Sequence, residues 1–180
     1  MRLLLLLFTS FLFLAAACTK ADDDTLTTPL DELPPATQVG ANTFGCLIDG
    51  VAFVNGGGGN SIQDLFATYQ ATPHESLSVR GMKVVRTEDN LSTTTVLFRT
   101  QTILEGAVSP DFSQLSFEVW NDTSRDQYYI DSTRFHRYTI TTHSEADNII
   151  SGVFENYSYC PTTGDTVHIT NGRFDVIYFD

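Results

Sequence analysis

From residue 42 to the C-terminus, apolar and polar residues alternate in short runs, and this two-residue period restricts the fold more than any other feature. The clearest run places Leu115, Phe117 and Val119 on one predicted face. A period of two is that of a β-strand, whose successive side chains point to opposite faces. No window of a dozen residues sustains the spacing of an amphipathic helix, although residues 61–69 also fit a short helix. We therefore predict an all-β fold, a single antiparallel β-sandwich or barrel-like domain of about eight to ten short strands.

Turn residues separate the predicted strands. Asp49-Gly50 is typical of a two-residue hairpin turn, because both residues tolerate positive φ angles. Asn171-Gly172 fits either a second hairpin turn or a bulge in one long strand, and we favour the bulge because it allows a longer pairing with the preceding strand. Gly81 interrupts the alternation of its own strand and predicts another bulge. The predicted strands cover residues 44–48, 51–54, 65–70, 77–86, 93–104, 114–120, 128–130, 137–142, 149–159 and 166–179.

Length and composition favour one domain with an acidic surface. The chain has 180 residues, of which 42% are hydrophobic and 12% aromatic, and this is enough to bury a core. The formal net charge is -12, with 22 acidic residues against 10 Lys and Arg. Nucleic acid is not an expected partner, because phosphate binding needs clustered Lys and Arg.

The N-terminus has the pattern of a cleaved signal peptide. Arg2 precedes an apolar run over residues 3–14, which is shorter than the roughly 20 residues that span a bilayer. Leu-Ala-Ala-Ala before Cys18 resembles the lipobox of bacterial lipoproteins, with Ala15 where Leu or Val is more common. The resemblance implies cleavage before Cys18 and its lipidation, and two or three acyl chains would hold the protein at a membrane. The alternative is an ordinary secretory signal followed by an unmodified cysteine.

We divide the chain into three parts. Residues 1–17 form the lipoprotein signal peptide, residues 18–41 the lipidated Cys with a Pro/Thr/acidic linker, and residues 42–180 the all-β domain. The prolines of the linker favour an extended spacer at about 3 Å per residue. Lys20 with the following Asp22-Asp23-Asp24 resembles the surface-export signal of Bacteroidota-type lipoproteins, and the alternative is a solvated charged tether.

Three further segments resemble an uncharacterised all-β domain family of Bacteroidota-type lipoproteins. They are LPPATQ at residues 33–38, NTFGCLIDG at residues 42–50 and ITNGRFD at residues 169–175. The resemblance implies an anchored all-β domain and brings no activity, since no reaction is assigned to the family. The chain departs from it at Val51-Ala52-Phe53, where relatives more often have a Lys and a Trp.

Cys46 and Cys160 remain once Cys18 is lipidated, and two alternatives are open for them. Outside the cytoplasm an even number of cysteines favours a disulfide, which would contribute about 2 to 4 kcal/mol. Alternatively, both are buried free thiols, because Cys46 shares a predicted face with Phe44 and Ile48.

The candidate ligand-contact residues are Trp120, Tyr128 and Tyr129, which flank an acidic loop over residues 121–126. Trp120 is predicted on the polar face of its strand, and exposed aromatic rings stack on sugars or anchor protein partners. The alternative is that Trp120 packs beneath a loop or against the edge of another sheet.

No catalytic set is recognisable in the sequence, and we assign no catalytic residue, metal ligand or cofactor. The acidic loops over residues 121–126 and 143–148 supply oxygen donors for a cation, but they are also typical of polar hairpin loops. We expect a lipid-anchored cell-envelope protein at the outer membrane, exposed at the surface, with a non-catalytic binding role for a glycan or protein partner. The alternative is a secreted-domain hydrolase that uses carboxylates or a bound cation.

Overall fold

The structure, a computed structural model, describes residues 27–56, 64–71, 75–86, 91–101, 103, 105–106, 108–109, 114–120 and 124–179. Within these residues the chain forms eleven strands and every strand pair is antiparallel, which confirms the all-β prediction. Ten of them correspond to the predicted runs, and β6 adds two residues. The strands are β1 (Thr43–Ile48), β2 (Val51–Val54), β3 (Leu65–Gln70), β4 (Ser76–Arg86), β5 (Leu91–Thr100), β6 (Val108–Ser109), β7 (Gln114–Trp120), β8 (Arg125–Ile130), β9 (His136–Ser144), β10 (Ile149–Tyr159) and β11 (Thr166–Ile177).

All strands belong to one curled sheet, in the order β2-β1-β11-β10-β8-β7-β5-β4-β3, with β9 paired to β10 and β6 to β9. The far ends of this sheet approach each other. Gly56, which follows β2, donates from its N–H to the carbonyl of Met82 in β4 at 2.9 Å. Phe179, which follows β11, donates from its N–H to the carbonyl of Ala67 in β3 at 3.0 Å. The sheet is therefore a half-barrel, as the barrel-like alternative predicts, and its concave face encloses the core.

Within the described residues, no helix combines the length and the apolar character that crossing a membrane requires.

The turn chemistry confirms two predictions. Asp49 and Gly50 have φ angles of 49° and 81° and join β1 to β2 as a two-residue hairpin. Asn171 has a φ of 52° and is a bulge in β11. Gly172 pairs with Phe154 and Ile169 pairs with Asn156, so one residue lies between the partners on β10 and two lie between them on β11. Strand β11 therefore carries one extra residue.

Gly81 is not a bulge, and that prediction is wrong. Its pairing with Leu65 on β3 and with Val96 on β5 is continuous with the neighbouring residues. The glycine instead makes room for the ring of Phe44, which comes from β1 across the core. A Cβ at position 81 would lie 2.5 Å from Phe44 Cδ1, which is closer than packed atoms approach.

A segment before β1, residues 33–41, lies on the outer face of β1 and β11, and we call it the strap. Leu33 is buried, with 7% of its surface exposed, and Pro34 packs on Gly45. The strap is fastened by Asp175, whose side chain points outward between the inward-facing Phe174 and Val176 and is 1% exposed. Residues 33–41 are therefore packed on the domain and do not form a free spacer.

Five hydrogen bonds converge on the Asp175 carboxylate. The donors are Thr37 Oγ1 at 2.6 Å, the N–H groups of Val39 at 3.1 Å, Gly40 at 2.9 Å and Ala41 at 3.0 Å, and Ser151 Oγ of β10 at 2.7 Å. Burial by itself raises the pKa of the carboxyl group. The bonds from Thr37, Ser151, Ala41 and Val39 outweigh burial and lower the pKa of Asp175 to about 2.

The three segments that carry the family resemblance meet at the strap. LPPATQ supplies Leu33, Pro34 and Thr37, and NTFGCLIDG supplies Gly45, on which Pro34 packs. ITNGRFD supplies the bulge and Asp175. Each segment therefore has a structural role in holding the N-terminal segment on the sheet, and none of these roles involves a ligand.

Candidate functional site

The pleat of the sheet divides the three candidate aromatic residues between two faces. Trp120 and Tyr129 point outward and are 45% and 39% exposed. Tyr128 points inward, and its ring centroid lies 5.1 Å from that of Phe117 in the core. Burial raises the pKa of the Tyr128 hydroxyl, followed by the nearby Cys160. Tyr128 is thus half-buried against the core, whereas Trp120 and Tyr129 are exposed, and a ligand-contact role for all three stays a prediction.

Trp120 lines a groove on the outer face of β4, β5, β7 and β8, with a volume of about 400 Å³. This volume lies within the range of small-molecule sites. Nine residues line this groove: Arg80, Met82, Thr93, Thr95, Leu97, Ser116, Glu118, Trp120 and Gln127.

The groove is built from successive cross-strand rows of the sheet. One row places Met82, Thr95, Glu118 and Gln127 side by side, and the next row along the strands contains Trp120 opposite Thr93. Because side chains two residues apart share a face, alternate residues of four strands form one continuous polar surface.

Arg125 lies over the indole of Trp120. Its guanidinium carbon is 4.3 Å from the ring centroid, a cation–π contact, and its Nε is paired with Glu118 Oε1. The guanidinium therefore covers one face of the indole, and a ring that stacks on that face must displace it. Sequence reasoning finds Trp120 but misses Arg125, because their pairing depends on the register between β7 and β8.

Several polar side chains of the groove are open. Within the residues that the structure describes, the half-buried side chains of Thr93, Thr95 and Gln127 make no hydrogen bond to another residue. Ser116 is 5% exposed and lies at the floor of the groove. The guanidinium of Arg80 lies 5.8 Å from the ring centroid of Phe66 and forms no ion pair with a described residue. The groove thus combines a half-exposed indole with hydroxyl, amide and guanidinium groups that are free to bind a ligand.

A second outer cavity, of about 450 Å³, lies beside the strap and is lined by residues of β9, β10 and β11. Two of its charged groups are paired, since Arg137 Nη2 lies 3.1 Å from Glu155 Oε2. Arg173 also lines the cavity and donates from Nε to the carbonyl of Asn171 at 3.3 Å. Glu155 Oε1 lies 3.3 Å from His168 Nε2. Unlike the groove around Trp120, this cavity has no tryptophan among its lining residues.

The predicted donor loop over residues 143–148 is the hairpin between β9 and β10, as its alternative interpretation predicts. A cavity of about 590 Å³ beside it is lined by Tyr69, Glu145 and Tyr178, among others. Burial, followed by the charge of Glu75, raises the pKa of Tyr69 to about 12. His143 packs edge-on against the Tyr69 ring at 4.7 Å between centroids.

The second predicted donor loop is only partly described. Asp122 lies outside the described residues, and Asp126 lies in β8 opposite Val119. No three His, Cys, Asp or Glu side chains in the described part of the chain are grouped as metal ligands.

Cys46 and Cys160 are free and buried, which is the alternative to a disulfide. Cys46 lies in β1 beside the bulge of β11, whereas Cys160 follows β10 at the far end of the same ladder. These positions are roughly 15 to 20 Å apart along the strand, while a disulfide needs Cα atoms within about 7 Å. Burial raises the pKa of Cys46, and hydrogen bonds from Thr163 lower that of Cys160. Cys18 lies outside the described residues.

Together the fold and the groove define an all-β domain with a polar, aromatic site on the outer face of its sheet. Comparison of the chain with protein-family models, with curated proteins and with solved structures finds no match in any of the three.

Proposed function

We propose that the protein is a lipid-anchored envelope protein, exposed at the outer membrane, that binds a glycan through the groove around Trp120 without catalysing a reaction. The observation that carries the binding role is the half-exposed indole of Trp120 among open polar side chains. Sugar rings have apolar C–H faces that stack on aromatic rings and hydroxyl groups that bond to Thr, Ser and Gln side chains.

The anchor is supported by the sequence before residue 19, which resembles a lipobox, and by the acidic tether that follows. A carboxylate-rich tether is repelled by anionic lipid and holds the following segment off the bilayer. An outer-face groove on a domain placed in this way is accessible to large ligands that cannot enter a closed cavity.

Binding is tested with the mature protein in detergent on a panel of oligosaccharides, comparing the wild type with Trp120→Ala. We expect Trp120→Ala to lose binding by about tenfold or more, since an aromatic anchor contributes about 2 kcal/mol or more. Phe135→Ala is the matched control, because Phe135 is also exposed and also lies beneath an arginine, Arg137, at 5.2 Å.

Two results would contradict the proposed binding role. Equal loss in Trp120→Ala and Phe135→Ala would show that the groove is not the site. Cleavage of a bound sugar would contradict a non-catalytic role and favour the hydrolase alternative.

The anchor is tested by intact mass spectrometry of the protein from native envelopes. We expect a chain that begins at Cys18 and carries acyl groups, and a Cys18→Ser variant that is not acylated and leaves the membrane fraction. An unacylated wild-type chain would contradict the anchor, and resistance to external protease on whole cells would contradict surface exposure.

A further inference from the structure

The groove lies beside a basic part of an acidic protein. Strands β4 and β5 contain Arg80, Lys83, Arg86 and Arg99 and no acidic residue. The connecting loop, which lies outside the described residues, adds two acidic residues. In a chain with a net charge of -12, this hairpin is a local excess of positive charge. Such a region attracts anionic ligands that the rest of the surface repels.

Arg80 is the cation of this hairpin that lines the groove. Three other arginines on the outer surface have carboxylate partners: Arg125 is paired with Glu118, Arg134 with Asp131 and Arg137 with Glu155. Arg99 and Arg173, like Arg80, form no ion pair with a described residue, but neither of them lines the groove. Arg80 has no such partner among the described residues and rests against the ring of Phe66. Its guanidinium is therefore free to bind a carboxylate in the bidentate geometry that favours this pair.

Arg80 and Trp120 lie at two ends of the groove. Strands β4 and β7 are separated by β5, so they are two strand spacings or about 10 Å apart. Trp120 is in register with Thr93 and Val84, and Arg80 lies four residues from Val84, or about 13 Å along β4. A ligand that contacts both residues is longer than one sugar ring.

We propose that the glycan bound in the groove is an oligosaccharide that carries carboxylate groups. This inference rests on the proposed glycan-binding function and names the class of sugar. One ring stacks on Trp120, the carboxylate of another ring pairs with Arg80, and the hydroxyl groups between them bond to Thr95 and Gln127. The acidic surface of the rest of the protein repels an anionic sugar, whereas the basic hairpin attracts it to this face.

The test compares a short oligomer of galacturonate with the galactose oligomer of the same length and linkage, which differs at C6 of each ring. Binding of both to the mature protein in detergent is measured by calorimetry. We expect the wild type to bind the galacturonate oligomer more tightly than the galactose oligomer, and added salt to weaken this binding. Arg80→Gln should bind the galacturonate oligomer about tenfold more weakly than the wild type does. The galactose oligomer should bind Arg80→Gln as it binds the wild type.

Arg137→Gln is the matched control, because Arg137 also lies over an aromatic ring but on another part of the sheet. Arg80 is exposed, so the substitution leaves the core intact. Equal affinity for the two oligomers, with dependence on Trp120, would overturn the acidic-sugar inference and leave the proposed glycan-binding role standing. Binding of an acidic peptide at Arg80 without binding of either sugar would overturn both.

Discussion

The carboxylate of Asp175 shows how one residue can hold a segment that has no regular secondary structure. It accepts five hydrogen bonds, three of them from consecutive backbone N–H groups of the strap. Backbone groups outside a sheet need partners when they are covered, and a single ionised side chain supplies these partners here. The strap is therefore sensitive to the charge of one residue.

Acid should weaken the protein through Asp175. The pKa of Asp175 is about 2 in the folded protein, below the value of about 3.9 for an unfolded chain. The unfolded chain therefore binds a proton more readily, so this contribution is complete above about pH 4 and is lost as the pH falls towards 2. The full difference amounts to about 2 kcal/mol. Urea unfolding across this pH range measures it.

The variant Asp175→Asn measures the contribution of this carboxylate to stability. Asp175→Asn should lose about 2 to 4 kcal/mol at neutral pH, because the amide nitrogen faces donors and cannot accept their bonds. It should also lose the part of the acid dependence that Asp175 supplies. Asp147→Asn, at an exposed hairpin residue bonded to Ser144, should change stability by about 0.5 kcal/mol or less. Equal effects of the two variants would show that the strap contributes nothing.

Gly81 supports a second prediction at the residue scale. Gly81→Ala should lower the free energy of unfolding by about 1 to 3 kcal/mol, since the new Cβ meets the ring of Phe44. Combining it with Phe44→Leu should cost less than the sum of the two single substitutions, because the smaller side chain can move aside. Denaturant unfolding of the two single variants and of the double variant gives the three changes in free energy of unfolding. Strict additivity of these changes would contradict the contact between Gly81 and Phe44.

At the scale of the element, β11 depends on one residue in an uncommon conformation. The φ of Asn171 is 52°, which asparagine tolerates and β-branched residues do not. Asn171→Val should therefore cost about 1 to 3 kcal/mol in denaturant unfolding. Thr170→Val is the control, since its φ is not positive, and should change stability much less. An Asn171→Val variant as stable as Thr170→Val would show that the bulge can relax.

The strands that sequence could predict are those whose alternation is regular. Residues 114–120 give β7 directly, and Asp49-Gly50 gives the first hairpin, because local conformation decides both. The inward direction of Tyr128 and the role of Gly81 could not be predicted. Tyr128 is next to Tyr129 in a run of polar and aromatic residues, so the sequence pattern does not indicate which tyrosine faces the core. Gly81 is required because the ring of Phe44, 37 residues away in the sequence, packs against it.

The candidate site also contains one residue that the sequence predicts and one that it does not. The exposure of Trp120 follows from its phase relative to Leu115, Phe117 and Val119. Arg80 belongs to the same groove only because β5 lies between β4 and β7, and no local pattern specifies that order. Long-range strand order thus decides most of what the site contains.

At the scale of the whole molecule, the groove and the strap lie on the outer faces of different parts of the sheet. The strap covers β1 and β11, whereas the groove lies on β4, β5, β7 and β8, and β10 separates the two regions in the sheet order. Because the sheet curls until β2 approaches β4, these faces point in different directions. With the proposed anchor at Cys18, we expect the strap side to face the bilayer and the groove to face away from it.

This orientation can be measured because Trp120 is the only tryptophan in the chain. In proteoliposomes that contain the acylated protein, we expect aqueous iodide to quench the fluorescence of Trp120 and spin-labelled lipids to leave it unchanged. Protein with a Cys18→Ser substitution, added to the same vesicles, gives the unanchored reference. Quenching by the labelled lipids in the anchored protein would show that the groove faces the membrane.

The position of the strap also bears on how the domain would respond to a force applied through the proposed anchor. Any force applied at residue 18 reaches the bonds of Thr37, Val39, Gly40 and Ala41 to Asp175 before it reaches the ladder between β1 and β11. Once released, residues 33–41 can extend to at most roughly 30 Å while every strand stays paired. We therefore expect the strap to detach under tension and to supply extra length before the sheet is loaded.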